Sequence, residues 1–216
     1  MSPDYSLIMD YGTIDFDYAG YLASQPEEDD GPIWMVNYMR YKKLASYDDG
    51  AGQVSGKEAD DRYAPTEVLA AIGAEVAFFG DVIAGDGTWD RMAIVRYPTR
   101  KSFIDMQSRD DFKEKKVHKD AGMDFTIIMC SLPQGPKTGE GDGTRTVQFI
   151  SFPAGSDTPS ALPNSVTFSV EGTIIGDDRR WDHLQMVFSD DVIDDLPEGT
   201  MVVRSQSKLD RVAELI

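Results

Sequence analysis

The sequence predicts an α+β protein: a β-α-β-β-α-β unit and, after it, a shorter, strand-rich second half. Three observations lead there. Runs rich in β-branched and aromatic residues alternate in that order with capped or amphipathic helical stretches between residues 32 and 132. A Pro/Gly-rich stretch, 133–143, separates this region from the rest of the chain. A hairpin in the first region is echoed in the second: Trp89 and Trp181, Asp90 and Asp182, and Val95 and Val187 are each 92 residues apart, which suggests an internal duplication.

Taken in order, residues 1–31 read as an N-terminal arm with a short helix that sets Phe16, Ala19 and Leu22 on one side. Ile33 to Tyr41 is bounded by Gly31-Pro32 and reads as a strand apolar on both faces. A polar loop runs to about Lys57, and Ala64 to Gly73 comes next as a helix with Val68 and Ile72 four apart. Residues 75–84 and 89–97 form a hairpin through Gly85-Asp86-Gly87-Thr88. Pro98-Thr99 opens a helical stretch carrying Phe103 and Met106 that stops at Gly122, and 124–132 is the fourth strand. The unit 32–132 is thus a split βαβ, or ferredoxin-like, arrangement with one sheet face left open. In 144–216 the strands are expected at 146–152, 165–175, 181–188 and 200–206, with a closing helix from Ser207. This second unit is a degenerate copy, because only 12 residues, 153–164, separate its first two strands, too few for a crossover helix.

Of 216 residues, 41% are apolar, which a buried core requires, and 38 acidic against 21 basic side chains leave a net charge of −17. Such a surface repels phosphate backbones and anionic lipid, so neither nucleic acid nor membrane is an expected partner. The one cysteine, Cys130, lies in an apolar run and forms no intramolecular disulfide; no basic, apolar leader opens the chain; the expected compartment is the cytoplasm. Two histidines and one cysteine do not compose a Cys/His zinc site, and the paired acids lack the spacing of a calcium loop, so no metal is expected. No phosphate loop, dinucleotide fingerprint or nucleophile elbow is present, and no cofactor is expected.

Several features of 32–132 are those of a known group of proteins: Val36-Asn37 on the opening strand, Tyr63, Gly80, the Gly85…Trp89-Asp90 hairpin, Tyr97-Pro98 with Phe103 beyond it, and Asp110-Asp111-Phe112…Ala121-Gly122. On these the segment resembles the dimeric α/β barrel superfamily, and within it a bacterial family of unknown function. The resemblance implies that two units set their open sheet faces together around a barrel, here within one chain. In monooxygenases and haem-degrading enzymes of that superfamily an Asn, a Trp and sometimes a helical His surround the substrate, and Asn37, Trp89 and His118 resemble them. His118 departs from the pattern, since it lies far beyond Trp89 on a charge-rich helix where the residue pattern reads as a solvated surface.

The candidate catalytic residues are Asn37, Arg91 and His183. Asn37 is an amide on a strand face with Met35, Met39 and Tyr41, and His183 shares a face with Trp181 and Gln185. Arg91 and His183 each stand two residues past a repeated tryptophan and are expected on one layer. If that layer is the barrel interior, a guanidinium would hold an anionic group and an imidazole move a proton; if it is the outer layer, the two are solvated or salt-bridged. Tyr41, Tyr63 and Trp89 are candidate ligand-binding residues, having apolar bodies and polar tips. These features are compatible with two functions. One is a small-molecule-binding barrel acting as a cofactor-independent oxygenase, isomerase or lyase on a small apolar or aromatic substrate held between the sheets. The other is a non-catalytic binding or structural protein with a filled barrel. A monomer or a homodimer is expected.

Overall fold

The β-rich runs are joined edge to edge into one antiparallel sheet that closes on itself. The computed structural model describes residues 11–48, 50, 54–139, 145–191, 193 and 195–216. Its elements are β1 (Thr13–Ile14), α1 (Phe16–Ala23), β2 (Ile33–Tyr41), α2 (Gly56–Tyr63), α3 (Thr66–Ala71), β3 (Glu75–Ala84), β4 (Arg91–Tyr97), α4 (Arg100–Met106), α5 (Asp110–Gly122), β5 (Met123–Pro133), β6 (Thr146–Pro153), β7 (Ser165–Gly176), β8 (Trp181–Val187), β9 (Met201–Asp210) and α6 (Val212–Leu215). The strand order is β1-β7-β5-β2-β4-β3-β9-β6-β8, and β8 pairs back with β7. Eight strands therefore form a closed barrel, with β1 added beside β7 through Thr13 and Ile14.

This overturns the ferredoxin-like α+β expectation and the likeness to a dimeric α/β barrel. A split βαβ unit keeps its own sheet with free edges, whereas here β3 hydrogen-bonds to β9 and β5 to β7, so the sheet runs unbroken through both halves. Pairing those edges removes the unsatisfied backbone groups that an open sheet would expose. Among the described residues no helix joins β6 to β7 or β8 to β9, so the second half is strands and loops rather than a helix-covered copy. The two halves do share a strand order: β5-β2-β4-β3 and β9-β6-β8-β7 each run fourth, first, third, second.

Local boundaries differ from the sequence-based expectation where capping decides. The expected loop before Lys57 ends earlier, at a capping box in which Ser55 and Glu58 satisfy each other's backbone N–H groups and start α2. The expected 64–73 helix is reduced to α3. The long helical stretch after Thr99 is two helices, α4 with its own Thr99/Ser102 box and α5 with Asp110 and Asp111 in its first turn. At the C-terminus β9 continues to Asp210 and leaves only one helical turn. Of the expected arm, residues 1–10 lie outside the described residues, as do 140–144 at the linker's end.

Inside the barrel, alternate residues of every long strand interdigitate. Tyr38 packs on Trp89 and Phe149, Phe78 meets Phe149 at 5.0 Å between ring centroids, and Trp34, Phe168, Trp181, Met186 and Val203 fill the remaining space. The Tyr38 hydroxyl is 2.7 Å from Ser151 Oγ across this interior. Eight strands enclose just enough room for such side chains. Outside, the wall made by β7, β5, β2, β4 and β3 lies under α1 to α5. The wall of the second half, with Ile150, Phe152 and Val187, is covered by loop residues Leu162, Ile193 and Leu196.

The arm is strapped to the barrel by one cluster. Asp30 accepts the backbone N–H groups of Arg100 (2.6 Å) and Lys101 (3.1 Å), capping α4, while the Arg100 guanidinium grips Glu171 and the Tyr18 hydroxyl donates to it at 2.8 Å. The Tyr18 ring lies on Gly172, where any Cβ would strike it. Burial pushes the Glu171 carboxyl up, but the hydrogen bonds from Arg100 and Tyr18 outweigh it and hold the pKa below 4.5. Because the folded value is depressed, this contribution is complete above the unfolded value near 4.5 and is lost as pH falls through the folded one. Urea unfolding across that interval is expected to show stability falling with pH, with a shallower slope in Glu171→Gln; equal slopes would contradict it.

Candidate functional site

The helices do not fully seal the wall they cover. Between it and α1 to α5 lies a partly open cleft of about 1040 Å³. Its floor is set by register. One row across the sheet is Ile128, Asn37, Ala93 and Phe79; the rows on either side are Cys130, Met35, Val95 and Val76, and Thr126, Met39, Arg91 and Asp81. Ala93, the smallest side chain of its row, leaves the floor low at its centre. Leu69, Phe103, Met106 and Phe112 from the helices form an apolar roof.

One end of the cleft is a closed ionic network. Arg91 is 1% exposed; its Nη1 reaches Asp60 at 2.9 Å and Asp61 at 2.8 Å, and its Nε reaches Asp81 at 3.2 Å. The guanidinium lies 4.6 Å from the Phe79 ring centroid and 5.4 Å from that of Tyr41. The Tyr41 hydroxyl donates to Asp60 at 2.6 Å, and Asp81 also takes Lys57 at 2.8 Å and Lys208 at 2.6 Å. Burial alone would lower the Arg91 pKa, but Tyr41, Asp60 and Asp61 together raise it. Burial likewise would raise that of Asp81, yet Lys208, Lys57 and Arg91 hold it well below the usual carboxylate range. Arg91 and Asp81 therefore carry fixed charges near neutral pH.

Next to this network, one turn further along α2, the arrangement is different. Tyr63 on α2 and Lys119 on α5 both line the cleft, with Lys119 Nζ 5.5 Å from the Tyr63 ring centroid and Phe112 edge-on to that ring. Burial pushes the Tyr63 phenol up and the Lys119 ammonium down. Nearby Asp120 is held by the Tyr11 hydroxyl at 2.7 Å and Lys116 at 2.6 Å. The helices α2 and α5 that carry these groups cross at Gly56 and Gly122, where the Gly122 carbonyl accepts the Lys42 N–H at 2.9 Å and the Lys42 carbonyl accepts that of Gly56 at 3.0 Å.

Of the residues singled out from the sequence, the cleft brings together Asn37, Tyr63 and Arg91. Asn37 donates Nδ2 to the Met35 carbonyl at 2.9 Å, and Tyr41 packs against Met39 on the same outer face without lining the cleft, its hydroxyl committed to Asp60. Trp89 faces the barrel interior. His183 is on the barrel's outer face in the second half, paired across the sheet with Phe152 and Ser169, and does not line the cleft. The expected sharing of one face by Trp181, His183 and Gln185 is corrected: a register shift between Phe152 and Pro153 turns Trp181 inward and leaves His183 and Gln185 outside. Arg91 and His183 both point away from the interior but into different surroundings. His118 meets the Tyr47 hydroxyl at 2.9 Å. Burial pushes the Cys130 thiol up to about 12. Among the described residues no group of three or more His, Cys, Asp or Glu is placed to hold a metal ion.

Asp60, Asp61, Asp81 and Lys119 are site residues that the sequence did not single out. For Asp60 a signal existed: the Ser55/Glu58 capping box starts a helix whose residues 56, 59, 60 and 63 share a face. Lys119 stands inside a charge run, which carries no cue.

No protein-family model matches the chain, and no curated protein matches it. Solved structures do resemble part of it, among them the following two. The crystal structure of methylated RPA0582 protein is 27% identical with a TM-score of 0.50, and the likeness covers 58% of this chain and 97% of that one. The RPA0582 protein from Rhodopseudomonas palustris, described as of unknown function, is 24% identical with a TM-score of 0.50, covering 57% of this chain and 96% of that one. What is shared is fold over little more than half of the chain. No helix of the described residues is long and apolar enough to cross a membrane.

Proposed function

We propose that this protein binds a small, largely apolar molecule in the cleft between the barrel wall and its helices, without chemical conversion. The cleft itself carries the reading: about 1040 Å³ with apolar walls and a few convergent polar groups, at the upper limit of ordinary ligand sites, beside a barrel interior that is filled. Binding is favoured over catalysis because Arg91 and its carboxylates are saturated by one another, and His183, the candidate base, is elsewhere. Asn37 and Tyr63 are the ligand-contacting residues of this proposal, which places the protein in the cytoplasm on the strength of its single buried cysteine.

Ala93→Phe tests it. A phenyl ring at the centre of the floor fills the cleft from below and leaves the barrel interior untouched. In a thermal-shift screen of alkyl and aromatic compounds, ligands that raise the wild-type melting temperature are expected to leave the variant unmoved. Equal shifts in both proteins would place binding elsewhere, and no shift from any compound would remove the proposal.

A further inference from the structure

The chain holds 38 acidic against 21 basic side chains, and of the cations that line the cleft all but one have a carboxylate partner. Within the cleft, Arg91 has Asp60, Asp61 and Asp81, Lys116 has Asp120, Lys208 has Asp81, and Lys113 has Asp110 at 3.6 Å. Among the described residues Lys119 has no carboxylate within ion-pair distance, and the Tyr63 hydroxyl beside it has no hydrogen-bond partner. Both side chains are half-buried, and both are hydrogen-bond donors. The two acids that bear on them, Asp60 and Asp120, are occupied by Tyr41 and Arg91 and by Tyr11 and Lys116.

We propose that the cleft's ligand is an amphiphilic carboxylate whose head accepts hydrogen bonds from Lys119 Nζ and the Tyr63 hydroxyl while its apolar body lies over Ala93. This rests on the reading of the cleft as a binding site. A carboxylate supplies the charge and the acceptors that Lys119 and Tyr63 lack. An alcohol supplies no charge, and an alkylammonium brings a second cation beside Lys119. A half-buried, unpaired ammonium is a stability cost to the empty protein that a carboxylate head relieves.

The test is calorimetric titration of the whole protein with dodecanoate, dodecanol and dodecylamine, repeated on Lys119→Gln, Tyr63→Phe and Ala93→Phe, with thermal unfolding of each variant. Dodecanoate is expected to bind about tenfold or more tightly than dodecanol, the order of a charge-assisted hydrogen bond. That preference should collapse in Lys119→Gln and shrink in Tyr63→Phe. Lys119→Gln should also melt higher than wild type, a shift that a purely structural lysine would not give. If Lys119→Gln fails to fold, Tyr63→Phe carries the same comparison. Dodecanol equal to dodecanoate, a preference that survives Lys119→Gln, or tightest binding by dodecylamine overturns the carboxylate assignment. Of these outcomes, any in which Ala93→Phe still abolishes binding leaves the cleft reading standing. Absence of binding by all three compounds overturns both.

Discussion

Replacing Arg91 by methionine is expected to remove about 3–5 kcal/mol of stability, the usual cost of stripping one partner from a buried ion pair. The methionine keeps contact with the Phe79 and Tyr41 rings, so the loss reports charge rather than packing. Asp60, 7% exposed, would be left with only the Tyr41 hydroxyl, and Asp81 would keep Lys57 and Lys208. The double variant Arg91→Met/Asp60→Asn should recover a substantial part of the loss, because a neutral amide does not need the guanidinium. Urea denaturation of the two singles and the double gives the coupling. Additive losses would mean that the network is no more than a surface arrangement.

Gly56→Ala is the second large effect, expected to cost about 1–3 kcal/mol despite alanine's better helix propensity. A Cβ at Gly56 would collide with the Gly122 carbonyl oxygen and stand 2.5 Å from the Lys42 carbonyl oxygen and 2.8 Å from its nitrogen. All three are backbone atoms engaged in hydrogen bonds of the crossing, so none yields by a rotamer change. The helix must move instead, carrying Asp60 away from Arg91 and Tyr63 away from Lys119, so ligand binding should fall with stability. Gly20→Ala, in the middle of α1 with nothing within 4 Å of its Cβ, is the contrast and should be neutral or stabilising. Equal effects at the two glycines, measured by thermal unfolding, would refute the close-approach account.

The strands were legible because each is a run of β-branched and aromatic residues between Gly or Pro, a local signal. Closure was not. The pairings of β3 with β9, of β5 with β7 and of β8 with β7 join residues far apart in the chain, and nothing in any one strand announces its second neighbour. Two-residue alternation also misplaced His183, because a register shift beside Pro153 inverts the faces at the start of β8. Asn37 and Arg91 were identifiable as polar residues on apolar strands, and the structure sets them in one cleft. Asp60 reads as one of several solvated acid pairs because α2 is polar almost throughout, and its buried face shows only once the capping box has fixed the helix start. Lys119 has no local signature: its meaning comes from the acids that other residues have already taken.

The chain's three tryptophans, Trp34, Trp89 and Trp181, all face the inside of the barrel, and none lines the cleft. Their indole N–H groups are buried and have no protein acceptor. As an optical consequence, ultraviolet emission from the folded protein belongs to one apolar compartment and should lie to the blue of that from the unfolded chain. Fluorescence in this molecule therefore tracks the opening of the barrel, while a guest in the cleft, separated from every indole by the sheet, leaves the colour of the emission unchanged.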